Sequence, residues 1–233
     1  MKKLSFYFTL ALFLLCQAFP TEAAATQPVF LRWVVYQSEA SDAERMFNSI
    51  QDYNKLMLSR TDAIAVYGGQ DATGTMIFLE IFPDQNACNA IAADKILQSK
   101  QAEINKLAAN VRPLAAEPFL LAAKPSGTAD RVRMARLVID PLQLDAYKAI
   151  LAEEMQASVA NEPGVLALLA TTETDHPNIF HLLELYRDEQ AYKEHIAGIY
   201  FQKYNLASQD MILEKNLIVT LPQDVTIYND YRQ

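Results

Sequence analysis

Shifted by 104 residues, the chain lies on itself in a single register. Val34 falls on Val138, Ala63 on Ala167, Asp71 on Asp175, Glu80 on Glu184, Phe82 on Tyr186, Asp84 on Asp188 and Ala87 on Ala191. One offset held over about fifty residues points to an internal duplication, and each copy must then fold on the same plan.

The plan can be read from either half. In the first, Val29 to Tyr36 has the composition of a strand. Ser41-Asp42-Ala43-Glu44 forms a capping box that opens a helix to about Arg60. Ala63 to Tyr67 is a short strand, Gly68-Gly69 with Asp71 to Gly74 the turn, and Thr75 to Phe82 the returning strand. Pro83-Asp84 starts a long helix to about Ala109, and Phe119 to Ala123 closes the unit. In the second half, Arg131 to Ile139 is a strand, and Asp140-Pro141-x-Gln143 caps a helix to about Asn161. Strands Val165 to Thr171 and Ile179 to Tyr186 flank a polar turn, Asp188 caps another helix, and Leu213 to Leu221 is the last strand.

Each half therefore runs β-α-β-β-α-β, the ferredoxin-like unit of an α+β protein. The expected division is a signal peptide over 1–25, one unit over 26–125, a linker over 126–130, a second unit over 131–222 and a tail over 223–233. Helices cover one face of such a sheet, and the apolar other face needs a cover as well. The two units can cover each other within one chain as a pseudo-dimer, or two chains can pair like with like.

Residues 1–25 have the layout of a secretory signal: Lys2 and Lys3, an apolar run from Leu4 to Cys16, then Ala23-Ala24-Ala25. An uncleaved anchor is the alternative, although the run is short of the ~20 residues that span a bilayer. Cleavage near Ala25 predicts an exported, periplasmic or secreted protein whose formal charge moves from −8 to −9. An acidic chain without a basic run lacks the electrostatic footprint for nucleic acid or an anionic membrane. Cys88 would be the only cysteine left, which excludes an intrachain disulfide and fits a small buried apolar residue.

Chemistry concentrates in the second unit. His195 shares a helical stripe with Ala191, Tyr192, Ile196 and Ile199, so it faces the sheet. By strand alternation Phe180, Leu182, Glu184 and Tyr186 share one face, and His181 lies on the other with Ile179, Leu183 and Leu185. Glu184, a carboxylate in mid-strand, needs a partner if buried, and Arg133 or Arg136 on the neighbouring strand can supply one. The position matching His195 in the first unit is Ile91, so that unit is expected to be a structural half. The histidines at 176, 181 and 195 lack metal-site spacing, and no phosphate loop or nucleophile elbow occurs. No metal or cofactor is expected.

The Glu162-Pro163-Gly164 start, the Glu184-x-Tyr186-x-Asp188 strand exit and the His195 to Phe201 helix resemble the antibiotic biosynthesis monooxygenase (ABM) family, over roughly residues 131 to 222. That resemblance implies a dimeric α/β barrel and cofactor-independent oxygenation of a quinol or polycyclic phenol. It assigns His195 as base or orienting donor, with Tyr186, Tyr192, Tyr200, Glu184 and Arg136 lining a pocket for a small aromatic or quinol-like molecule. A homo-oligomer is a further possibility. Where relatives often carry a second histidine this chain has Tyr200, and Asn205 stands where the haem-degrading branch places its axial histidine. The alternative is a non-catalytic periplasmic module that binds a small hydrophobic or aromatic ligand, with haem a minor option.

Overall fold

The computed structural model describes residues 29–124 and 129–229. The expected signal peptide and residues 126–128 of the expected linker lie outside them. In chain order the elements are β1 (Phe30–Ser38), α1 (Ala43–Arg60), β2 (Ala65–Asp71), β3 (Met76–Phe82), α2 (Gln85–Ala93), α3 (Lys95–Leu107) and β4 (Ala108–Ala123). The second half follows as β5 (Arg131–Ile139), α4 (Leu144–Asn161), β6 (Val165–Glu173), β7 (His176–Tyr186), α5 (Glu189–Ala197), α6 (Ile199–Ser208) and β8 (Ile212–Asn229).

All eight strands join one closed antiparallel barrel in the order β1-β3-β2-β8-β5-β7-β6-β4. Each half contributes four neighbouring strands, β4-β1-β3-β2 and β8-β5-β7-β6. The last strand of each half makes the seam. Residues 108–116 of β4 pair with β1 of their own unit, and residues 116–123 pair with β6 of the other. β8 does the same, pairing with β5 over 212–219 and with β2 over 220–229. A single chain thus closes on itself as a pseudo-dimer, and closure removes the exposed sheet edges.

Strand alternation sorts the core into three layers. Helix-side residues of the first unit, among them Val34, Tyr36, Ile50, Tyr53, Phe78 and Phe82, pack beneath α1 to α3. Leu31, Trp33, Leu79, Met134, Leu169 and Leu183 fill the barrel interior. Leu137, Tyr147, Leu151, Phe180, Leu182 and Tyr186 pack beneath α4 to α6. Across the interior, Trp33 Nε1 donates to Thr171 Oγ1 at 2.9 Å and so ties one unit to the other.

Several boundaries differ from expectation, each for a local reason. Residues 223–229, expected as tail, continue β8 because β2 offers them a pairing edge. β4 begins at Ala108 rather than Phe119; exposed residues and Pro113 mask its first half as a strand. Gly68 and Gly69 lie inside β2, not in the turn. A Cβ on Gly68 would sit 2.1 Å from the Ile77 carbonyl oxygen and 2.7 Å from the Phe78 ring, so only glycine allows this strand approach. Asp94 interrupts the long helix and caps α3 through Ile96 and Leu97. Asp42 makes no side-chain cap on α1, and its carboxylate holds Arg45 instead.

The duplication is real but its register is stepped. Arg32 faces Glu80, whereas Arg133, not Arg136, faces Glu184. The offset is therefore 101 residues in the first strand and 104 from the third strand on, with the difference absorbed around the second strand. Asp84 and Asp188 repeat the same N-cap, each accepting from the backbone N–H three residues on.

Gly68→Ala is expected to cost about 1–3 kcal/mol through overpacking. Equilibrium denaturation measures this, and wild-type stability would count against the close approach.

Candidate functional site

His195 sits in the last turn of α5, under α6 and against β7, and is 2 % exposed. Two acidic groups from distant elements reach it. Glu162, the residue that ends α4, places Oε2 2.7 Å from Nδ1. Glu154, one face of α4 inward with Leu151 and Met155, places Oε1 3.7 Å from Nε2. A carboxylate only accepts, so Nδ1 carries the proton of the Glu162 bond and Nε2 is left as the available base.

Two glycines make this geometry possible. A Cβ on Gly164 would lie 2.3 Å from the Ala191 Cβ, so the Glu-Pro-Gly turn lets α5 approach the start of β6. Gly198 separates α5 from α6, and a Cβ there would lie 2.9 Å from Glu162 Oε1 and 3.0 Å from the His195 carbonyl oxygen. The small residue leaves room for the carboxylate that orients the imidazole.

Burial raises the Glu154 carboxyl to about 7; neighbouring Glu184 and Glu162 add to it, while Ser158 and His195 oppose it. Ser158 Oγ donates to Glu154 at 2.8 Å. Burial likewise raises Glu184, against the pull of His195 and of the Tyr186 hydroxyl, which donates to it at 2.9 Å. Around one imidazole the protein thus gathers three carboxyl groups, and two of them hold protons more tightly than in water. Such an arrangement can accept a proton at Nε2 and pass it to Glu154.

The expected site residues divide. Tyr186 is buried, with its ring 5.4 Å from that of His195, and Phe201 lies 5.2 Å away on the other side. Tyr192 stacks on Arg133 at 4.2 Å and accepts from that guanidinium at 2.6 Å. Tyr200 lines a separate void of about 50 Å³ between α4 and α6, which it shares with Glu154. Arg136 is not part of the site. It lies on the barrel-interior side with Trp33 and His181, and pairs with Glu214 at 3.3 Å rather than with Glu184. The three-residue step in register is the reason. Glu154 and Glu162 were missed as partners; a charged residue within the buried stripe Leu151–Met155–Ser158 is the signal that marks Glu154.

The ligand-sized pocket expected beside His195 is absent. The void there is about 20 Å³, lined by Glu154, Glu184, Leu182, Phe201 and Tyr204 among others, room for a single water. A cavity of about 530 Å³ lies instead beneath α2 and α3 of the first unit, which was expected to be a structural half. Among the described residues no group of acidic, histidine and cysteine side chains could hold a metal, and no helix is long and apolar enough to cross a membrane.

The family model for antibiotic biosynthesis monooxygenase matches residues 131–205, which contain His195, Glu154, Glu162 and Glu184. A candidate antibiotic biosynthesis monooxygenase from Bacteroides thetaiotaomicron is 41% identical over 44% of this chain and 94% of its own, with a TM-score of 0.40. The chain belongs to the antibiotic biosynthesis monooxygenase family. Solved structures share the fold over most of the chain at low identity. A candidate monooxygenase from Lactobacillus acidophilus is 16% identical, covering 87% of this chain and 96% of that one, with a TM-score of 0.74. Another from Fusobacterium nucleatum is 18% identical, covering 87% and 95%, with a TM-score of 0.79. No curated protein matches the chain. Within the ABM unit, the family match and the buried His195 cluster fall on the same residues.

A carboxyl raised on folding contributes stability that is full below its unfolded pKa and lost as pH rises through the folded one. Glu154→Gln should therefore gain on the order of 1–3 kcal/mol relative to wild type between pH 5 and pH 8. Denaturation midpoints at both pH values test this, and parallel curves would contradict it. Gly198→Ala should displace Glu162 from His195, read by proton NMR as loss of the hydrogen-bonded Nδ1–H resonance.

Proposed function

We propose that this protein is an exported ABM-type monooxygenase that oxidises a quinol or polycyclic phenol without a cofactor. The observation that carries this reading is the buried Glu162–His195–Glu154 arrangement inside the family-matched segment. Nε2 of His195 takes the substrate's hydroxyl proton while Glu162 holds the ring in place. The resulting phenolate reduces dioxygen; one oxygen atom becomes a ring carbonyl, the other leaves as water, and the substrate supplies all the electrons. Burial of the centre favours this chemistry by excluding water from the charge that develops. Export rests on the signal-like residues 1–25.

Substrate access requires α6 to move off α4 about the Gly198 break, because the void beside Nε2 holds only a water. That same observation favours a second reading, a non-catalytic protein whose C-terminal pocket is filled by Phe201 and Tyr204.

Oxygen uptake with a panel of quinols separates the two. The monooxygenase reading expects turnover by wild type and a loss of about 10²–10⁴-fold in His195→Ala. Equal rates would remove His195 from the mechanism, and no uptake by wild type would favour the non-catalytic reading.

A further inference from the structure

Aligned at the repeated Asp84 and Asp188 caps, the two halves differ in side-chain volume between helices and sheet. Tyr192 of the second unit corresponds to Cys88, His195 to Ile91 and Phe201 to Leu97. The larger set fills its pocket to about 20 Å³, and the smaller set leaves about 530 Å³ open. The latter lies within the range of small-molecule sites.

The opening is not simply an apolar gap. Arg32, Tyr36 and Tyr53 line it together with Gln98 and Gln101, while Val34, Ile91 and Leu97 supply apolar wall. Arg32 Nε and Nη2 both reach Glu80 Oε2 at 2.6 Å, and Glu80 is 2 % exposed. Burial opposes the arginine's charge, but Glu80 outweighs it and keeps the guanidinium protonated. Burial, reinforced by Glu80, pushes the Tyr36 and Tyr53 hydroxyls up, so both remain donors. The polar end of the cavity therefore offers N–H and O–H groups while its charge is already balanced. A second anion would meet Glu80, whereas an uncharged oxygen acceptor gains the donors without that repulsion.

We propose that the N-terminal unit is a ligand site for an uncharged, largely apolar molecule bearing a carbonyl oxygen, with that oxygen at Arg32, Tyr36 and Tyr53. This site is separate from His195 and does not depend on turnover there.

The test is calorimetric titration of the full chain with 2,3-dimethyl-1,4-naphthoquinone, whose blocked ring positions do not add thiols. Saturable one-to-one binding is expected. The double variant Cys88→Tyr/Leu97→Phe, which copies the filled unit, should abolish it, with folding checked by circular dichroism. Tyr53→Phe removes one donor and little volume, and should weaken binding about 5- to 10-fold. His195→Ala should leave the affinity unchanged, and 2-naphthoate should bind at least about ten times more weakly. No binding to wild type, unchanged affinity in both pocket variants, loss of binding in His195→Ala, or tighter binding of the naphthoate would each overturn the proposal. Oxygen uptake plays no part in these readouts, so the site stands or falls apart from the proposed oxygenase activity.

Discussion

The rest of the structure depends on covering the second face of each sheet. Helices protect one face of a four-stranded ferredoxin-like sheet, and the apolar residues opposite, such as Leu31, Trp33 and Leu79 in one unit and Leu169 and Leu183 in the other, need a partner surface. The chain supplies it by making β4 and β8 long enough to serve both units in turn. Backbone pairing at both seams and apolar contact in the interior thus come from the same two strands. The Trp33 bond to Thr171 adds a directional link where the units meet.

Once closed, the barrel frees the two helical layers to diverge. The two helical layers belong to separate core clusters on opposite sides of the barrel interior, so volume lost in one is not compensated in the other. In the second unit Tyr192, Phe201 and Tyr204 fill the space and bury an imidazole among carboxyl groups. In the first, Cys88 and Leu97 leave a cavity whose polar end is an ion pair and two phenols. One half keeps a buried proton acceptor and the other keeps room.

Much of this was legible in the sequence because it depends on period and punctuation. Asp84 and Asp188 repeat as helix caps, and the alternation of β7 correctly separates Phe180, Leu182 and Tyr186 from Leu183 and Leu185. Other features depend on distance in space. Glu162 lies 33 residues from His195, and only the fold brings its carboxylate to Nδ1. Arg136 was misplaced because a uniform offset hides the three-residue step, which puts Arg133 opposite Glu184. The cavity was assigned to the wrong half because a hydrophobic pattern records which residues face inward, not whether their summed volume fills the space.

Closure of one chain on itself is tested most directly at the β4–β6 seam, where Leu121 faces Leu169. In a Cys88→Ala background, cysteines at these two positions should oxidise to an intrachain disulfide and leave the protein at its monomer mass. A covalent dimer, formed because β4 of one copy pairs with β6 of another, would contradict the account.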